Sequence, residues 1–422
     1  MDNLKGKKLL VLGDTSAVLD VIRFAKDMGV TVYITGLSDY APAEEAADVK
    51  VRISTTDIQA LSEFMEKEDI DGFMTGASEF NIANCIALAE YSGKHFYTTR
   101  ELWDLCANKK SFKNLCRTSG VPGVKEFDSE KPETFEYPVI IKPVDGCSAR
   151  GITVCENREE FEAAKEKALE YSAAKKIIVE KYIENDGSTI SSKYILSDGE
   201  IYLQSLGDRY VLNADKGKAL ITWASIYPSK HTMFYLQHID KPVKEMFKKA
   251  GLKNGCLFME AMPNDEGIFF YEMGYRISGG MTYKITEITN DVNELKMLIH
   301  YSVTGSMCDA SDIEKIDPYL NGKTACVLAI PLEMGTIGSI TGMDEIQRMP
   351  EVYFTTQYYS VGGEITEKKM STLDQLFARL TVIADSKEQL LKIVNKINSV
   401  LSVKDTMGKE MYVQRFDPRK FF

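Results

Sequence analysis

Residues 256–276 decide how this chain is read: Cys256-Leu257-Phe258-Met259-Glu260, a turn at Asn264-Asp265-Glu266-Gly267, then Ile268-Phe269-Phe270-Tyr271-Glu272-Met273-Gly274-Tyr275-Arg276. Two apolar runs joined by a glycine turn predict adjacent strands, each ending on a carboxylate. Glu260 and Glu272 are 12 residues apart, a spacing that lets an antiparallel pair turn both side chains to one face. Two hard oxygen ligands beside phosphates suit magnesium, which keeps waters and shares itself with substrate oxygens. Solvated strand glutamates are the plainer reading. Against it, each carboxylate closes an apolar run, where a lone charge is costly to bury without a cation. Arg276 lies four residues beyond Glu272 and can grip a phosphoryl or carboxylate group bidentately.

Upstream, Ile140-Ile141-Lys142-Pro143-Val144-Asp145-Gly146-Cys147-Ser148-Ala149-Arg150-Gly151 carries a lysine out of a buried strand into a small-residue loop. Small residues let backbone N–H groups approach phosphate oxygens, and Lys or Arg neutralises their charge. The run is neither a GxxxxGK[ST] nor a GxGxxG loop, so a dinucleotide-binding dehydrogenase finds no support. Between the two regions, Ile177-Ile178-Val179-Glu180-Lys181-Tyr182-Ile183-Glu184 reads as a buried strand running out into a polar connection.

Farther out, the first hundred residues alternate strand and helix patterns: strands at 8–12, 30–35 and 72–75, helices at 16–28, 58–67 and 80–91. Such βαβ repetition implies a parallel sheet with helices on both faces. One helical pattern spans 99–117 and contains Asn108-Lys109-Lys110, and past Gly120-Val121-Pro122-Gly123 strands dominate in close pairs. Asp198-Gly199 is a hairpin signal, and Pro242 is expected to interrupt or restart the helix predicted over 232–250. His231 and His238 are seven apart in this helical region and are read as surface or core residues. A polar junction at 311–321 precedes glycine-rich strands, a strand at 380–384 and a helix at 387–400. The fold class is α/β, with α+β character in its centre.

The composition is that of an ordinary folded protein, 44% hydrophobic and 27% charged, and 422 residues suffice for two or three cores. A net charge of −11 disfavours a bulk electrostatic grip on nucleic acid or anionic lipid, which leaves small molecules as the expected partners. The eight cysteines form no CxxC pair and read as reduced packing residues rather than zinc ligands. Leu9–Leu12 is too short for a signal segment or membrane span, so a cytoplasmic protein is expected.

In their order and spacing these segments resemble the ATP-grasp superfamily, nearest the branch holding biotin carboxylase, carbamoyl-phosphate synthetase and purine-pathway carboxylate–amine ligases. The resemblance covers nearly the whole chain and implies a pre-ATP-grasp domain at 1–98, an ATP-grasp nucleotide domain at 99–310 and a closing domain at 311–422. A homodimer through the last is compatible with it. It implies ATP with magnesium, manganese being able to substitute, and Glu260 and Glu272 as the paired metal ligands. Lys109, with Lys110 as a one-residue alternative, and Lys142 correspond to the phosphate lysines. Ser148, Arg150 and Gly151 correspond to a closing loop, and Glu180, Lys181 and Ile183 to the hinge that reads adenine. Arg276 and Lys142 take the catalytic roles, Arg276 at the acyl-phosphate step, and Ser278-Gly279-Gly280 form a substrate-side turn. Asp186 is assigned to the ribose. Glu79 is assigned to the substrate pocket, with helix capping by Ser78 and a first-turn Glu as the plainer alternative.

The family pattern Glu-x-Asn-x-Arg is broken here, since Gly274 stands where the Asn would supply a third metal contact. The reaction implied is carboxylate attack on the γ-phosphate of ATP, then displacement of phosphate by an amine. Two other readings on the same scaffold are a bicarbonate-activating carboxylase and a non-catalytic nucleotide sensor, the latter favoured by Gly274.

Overall fold

The computed structural model describes residues 4–38, 41–144, 151–184, 186–211, 222–307, 310–370 and 372–421. The N-terminal strands β1 (Lys8–Leu12), β2 (Thr31–Thr35), β3 (Val49–Val51) and β4 (Gly72–Met74) form a parallel sheet in the order β3-β2-β1-β4. Alternation along β1 sorts its neighbours: Leu9 and Val11 pack with helix α1 (Leu19–Asp27), while Leu10 and Leu12 pack with α2 (Ile58–Lys67) and α3 (Glu79–Ser92). Both faces are thus covered, as the βαβ pattern requires.

The helical stretch expected over 99–117 is two helices, α4 (Arg100–Ala107) and α5 (Lys109–Ser119). Asn108 breaks it: its backbone is extended, with φ −81° and ψ 117°, and its side chain accepts the N–H groups of Lys110 and Ser111 at 3.0 and 3.1 Å. A small antiparallel sheet follows, made of β5 (Glu126–Phe127), β6 (Val139–Pro143), β7 (Thr153–Cys155) and β8 (Ile177–Lys181) in the order β5-β8-β6-β7. Helix α6 (Arg158–Glu170) covers one face through Phe161, Ala164 and Ala168. Val139 and Ile141 meet that helix, so Ile140 and Lys142 stand on the opposite face.

The large sheet holds β9 (Ser188–Ser197), β10 (Glu200–Val211), β11 (Thr222–Tyr227), β12 (Gly255–Asn264), β13 (Gly267–Gly274) and β14 (Thr324–Pro331). After the short β15 (Gly335–Thr341) it is completed by β16 (Val352–Gln357) and, beyond β17 (Glu364–Ile365), by β18 (Leu376–Ala384). Its order is β13-β12-β9-β10-β11-β14-β18-β16, every pair antiparallel. The sheet runs across residue 311, so segments on both sides of that junction share it. Helices α7 (Thr232–His238) and α8 (Asp240–Ala250) lie with α4 and α5 under one face, with Pro242 in the first turn of α8 where its missing N–H is harmless. His231 precedes α7, and the His238 ring rests against Phe234 at 4.8 Å.

Further helices are α9 (Tyr283–Asn290) and α10 (Glu294–Thr304), and α10 packs back onto the N-terminal sheet. Among the described residues the six cysteines are free and buried, and burial raises their thiols, Cys155 to about 11. No described helix is long and apolar enough to cross a membrane.

Candidate functional site

Glu260 and Glu272 are direct cross-strand partners on β12 and β13. The register slips just past them: Ala261 faces Phe270, so Tyr271 is an extra residue and the strand bulges there. The bulge turns Tyr271 and Glu272 to the same side, and both carboxylates line one cavity of about 460 Å³ over the large sheet. Alternation builds the rest of that floor. On β9, Ile190, Tyr194 and Leu196 go into the core while Thr189, Ser191 and Lys193 face the cavity.

The two carboxylates are in different states. Glu260 is buried, accepts from Ser191 Oγ at 2.9 Å, is ion-paired with Arg209, and has Lys193 Nζ 3.9 Å away. Lys193 donates to Ser191 Oγ at 2.6 Å, and burial drives its ammonium down to about 8, only partly opposed by Glu260. Glu272 is half-buried and has no hydrogen-bond or ion-pair partner among the described residues.

Arg276 lines the same cavity, as do Ser278, Gly279 and Gly280. Its guanidinium donates to Glu79 Oε1 at 3.0 and 3.2 Å and lies 5.0 Å from the Phe258 ring centroid. Glu79 opens α3, capped by Ser78, whose Oγ accepts the Asn81 N–H at 3.3 Å. Glu79 thus stands in the first turn of a helix capped by Ser78 and is also the ion-pair partner of Arg276. Gly274 has a steric cause: a Cβ there would fall 2.5 Å from two ring carbons of Phe258, its cross-strand partner. The ring fills the space a side chain at 274 would need, and it carries Lys193 on its face at 4.7 Å.

Lys142 is placed apart from this cavity, on the small sheet, where it donates to Glu180 Oε2 at 2.5 Å. Glu180 is almost fully buried and also takes Lys113 of α5, which in turn reaches Glu126 at 2.9 Å. Burial works to raise the Glu180 carboxyl, but the two ammonium groups outweigh it and hold the carboxyl low. Burial pushes Lys142 below its ordinary value against the pull of Glu180. Lys109, Lys110 and Lys113 line a second cavity of about 830 Å³ together with Lys165, Lys175 and Lys176. Lysines in the first turn of α5 oppose the helix dipole, an arrangement that an incoming anion relieves.

Other expected residues are placed less centrally. The Lys181 ammonium donates to the Glu136 and Tyr137 carbonyls at 3.0 and 3.2 Å, and Ile183 is buried. Asp186 pairs with Lys230 at 2.7 Å and accepts from Ser188 Oγ at 2.5 Å. Gly151 needs to be glycine: its φ is +75°, and a Cβ would meet Pro143 and Tyr171 at 2.9 Å. Ser148 and Arg150 lie outside the described residues.

Sequence reading missed Lys113, Lys193, Arg209 and Arg379, all of which line one of the two cavities. Lys113 had a signal, since it stands four residues from Lys109 on one helix face. Lys193 had one too, in the alternation of β9. Arg209 and Arg379 had none, being single cations on strands whose extents only the fold defines.

Residues 135–284 match a family model described as the ATP-grasp domain. That segment, which runs from the small sheet through β13 to the start of α9, is similar to the ATP-grasp domain. Formate-dependent phosphoribosylglycinamide formyltransferase of Bacillus velezensis is 21% identical over 303 residues, 69% of this chain and 76% of that one. Among solved structures, phosphoribosylglycinamide synthetase from Anaerococcus prevotii superposes with a TM-score of 0.76 at 16% identity, covering 94% of this chain and 99% of that one. The L-amino acid ligase from Bacillus licheniformis gives 0.74 at 19% identity, covering 95% and 99%. At these identities the structural likeness establishes the fold.

Proposed function

We propose that this chain is an ATP-dependent carboxylate–amine ligase in which Glu260 and Glu272 hold magnesium. The observation that supports it most is their direct pairing across β12 and β13 on the floor of one cavity that also receives Arg276. The donor set fits magnesium: two carboxylates with no third His, Cys, Asp or Glu gathered among the described residues, which leaves positions for water and phosphate oxygens. Manganese takes the same donors. When bound, the ion neutralises charge on phosphate oxygens.

The protein's own share is positioning and charge. Lys142 and Lys109 would receive nucleotide phosphates, Lys142 giving up part of its bond to Glu180. Arg276 would orient the acid and offset negative charge as the carboxylate oxygen attacks the γ-phosphate and ADP leaves. An amine then displaces phosphate from the acyl carbon to give an amide. Gly151, Lys181, Ile183 and Asp186 are assigned to the nucleotide side, and Glu79, Ser278, Gly279 and Gly280 to the substrate side.

The test is ADP release with carboxylate and amine pools, beside bicarbonate alone. Lys142→Ala and Glu272→Ala should each nearly abolish amine-dependent ADP release while circular dichroism stays unchanged. Near-normal turnover in either variant refutes the assignment, and ADP release with bicarbonate alone selects the carboxylase. Arg209 seated on Glu260 favours a second reading, a nucleotide sensor, and tight Mg–ATP binding without turnover would select that one.

A further inference from the structure

Four cationic side chains line the 460 Å³ cavity, Lys193, Arg209, Arg276 and Arg379, against two carboxylates, Glu260 and Glu272. Three of the cations are committed: Arg209 and Lys193 to Glu260, Arg276 to Glu79. Arg379 is not. It is half-buried on β18, and among the described residues its guanidinium has neither a carboxylate nor a hydrogen-bond acceptor. A half-buried cation without a counter-ion is a ready site for an anionic ligand. Its fork of donors matches a carboxylate or phosphate group.

Its position separates it from the reacting end. Along the sheet, β12 and β18 are separated by β9, β10, β11 and β14. At the usual strand spacing that is about 24 Å of sheet surface between Glu260 and Arg379, an upper bound because twisted sheets cup. Lys193 on β9 and Arg209 on β10 stand beside Glu260, and from Arg209 to Arg379 the floor is uncharged, with Thr222, Ser225, Val327 and Ala329. A ligand lying across this floor would meet a charged group of side chains at one end, Glu260, Lys193 and Arg209, uncharged side chains next, and Arg379 at the other end.

Building on the ligase reading, we propose that the acid substrate is an elongated dianion: one carboxylate is activated beside Glu272 and Arg276, and the second anionic group is held by Arg379. Arg379 is thereby a specificity residue rather than a catalytic one.

The experiment uses the full chain with Mg–ATP and hydroxylamine, which displaces phosphate from an acyl phosphate and leaves a hydroxamate. Unbranched α,ω-dicarboxylates of graded length are compared with monocarboxylates of equal length. The longer diacids should support hydroxamate formation and equal-length monoacids should not. In Arg379→Gln the KM for the best diacid should rise on the order of 10- to 100-fold, the loss of one charge-assisted contact, with kcat within about twofold. Arg379→Lys should recover part of that KM.

Equal use of monoacids and diacids, an unchanged diacid KM in Arg379→Gln, or the absence of any diacid that reacts or binds calorimetrically to the Mg–AMPPNP complex overturns the inference. Failure to bind Mg–ADP, or normal turnover in Glu272→Ala, overturns the ligase reading instead. The two failures are therefore distinct.

Discussion

Replacing Glu180 by Gln keeps the shape of the side chain and removes the charge that holds Lys142. Lys113 retains Glu126 at 2.9 Å, whereas Lys142 has no other carboxylate among the described residues. Breaking a fully enclosed ion pair costs about 3–5 kcal/mol. The Lys142 side chain is 21% exposed and can turn to water, which brings the cost down to about 2–3 kcal/mol. The urea midpoint should fall accordingly. The second consequence is in binding. Burial lowers the Lys142 ammonium and Glu180 opposes that effect, so the variant loses its proton at lower pH than the wild type does. Its affinity for Mg–ADP should therefore fall as pH rises, at a pH where the wild type still binds fully. A lost lysine–phosphate contact is worth about 1.5–3 kcal/mol, or ten- to a hundredfold in Kd. Calorimetric titration with Mg–ADP at a series of pH values from neutral to alkaline, wild type beside variant, reads this difference. An unchanged urea midpoint together with coincident pH profiles would refute Glu180 as the counter-ion of Lys142.

Three further outcomes are expected. Gly274→Ala drives a Cβ into the Phe258 ring and should cost about 1–3 kcal/mol of stability. Phe258→Leu in the same chain should recover at least about 1 kcal/mol of that in a double-mutant cycle, and additive costs would show that the ring is not the obstacle. Glu294 is held up to about 7 from 4.5 by burial, so its protonated form contributes stability that is complete below 4.5 and lost as pH rises through about 7. Wild type should lose about 3 kcal/mol more than Glu294→Gln over that interval, read as urea midpoints at about pH 4.5 and about pH 8. Glu260→Gln strands Arg209 and Lys193 and should destabilise by about 2–4 kcal/mol, whereas Glu272→Gln, which breaks no partner, should stay within about 0.5 kcal/mol. Equal losses from the last two would mean that the carboxylates are not in different states.

What the chain discloses before folding follows from period and punctuation. Helices 58–67 and 387–400 were legible to the residue, because apolar spacing and the caps Asp57 and Ser386 agree with the final packing. The break at Asn108 was hidden, since the apolar spacing continues through it while only the side-chain cap reveals the stop. The facing of Glu260 and Glu272 was also legible, because a hairpin fixes its own register. The bulge at Tyr271 was not, and it is what places two consecutive side chains on the cavity. Least legible were the contributions of Arg209 and Arg379, which depend on non-local strand order: β10 and β18 become neighbours of one cavity only through β11 and β14.

That strand order bears on the meaning of Gly274. A side chain there is excluded by Phe258, and the ring that excludes it supports Lys193 and stacks with Arg276. Giving up a potential metal donor and gathering cations are thus consequences of one packing arrangement. The cavity ends with cations exceeding carboxylates and with one of its two carboxylates already neutralised by Arg209. Coulomb attraction at such a floor favours ligands that bring several negative charges, and a cation arriving alone meets mainly Glu272. Nucleotide phosphates and an anionic acid would supply the charge that the protein leaves out, so metal binding here is expected to tighten when phosphate is already present. On the proposed ligase reading, the departure from Glu-x-Asn-x-Arg would shift the burden of holding the ion from the protein to the substrates, and would not by itself argue against turnover.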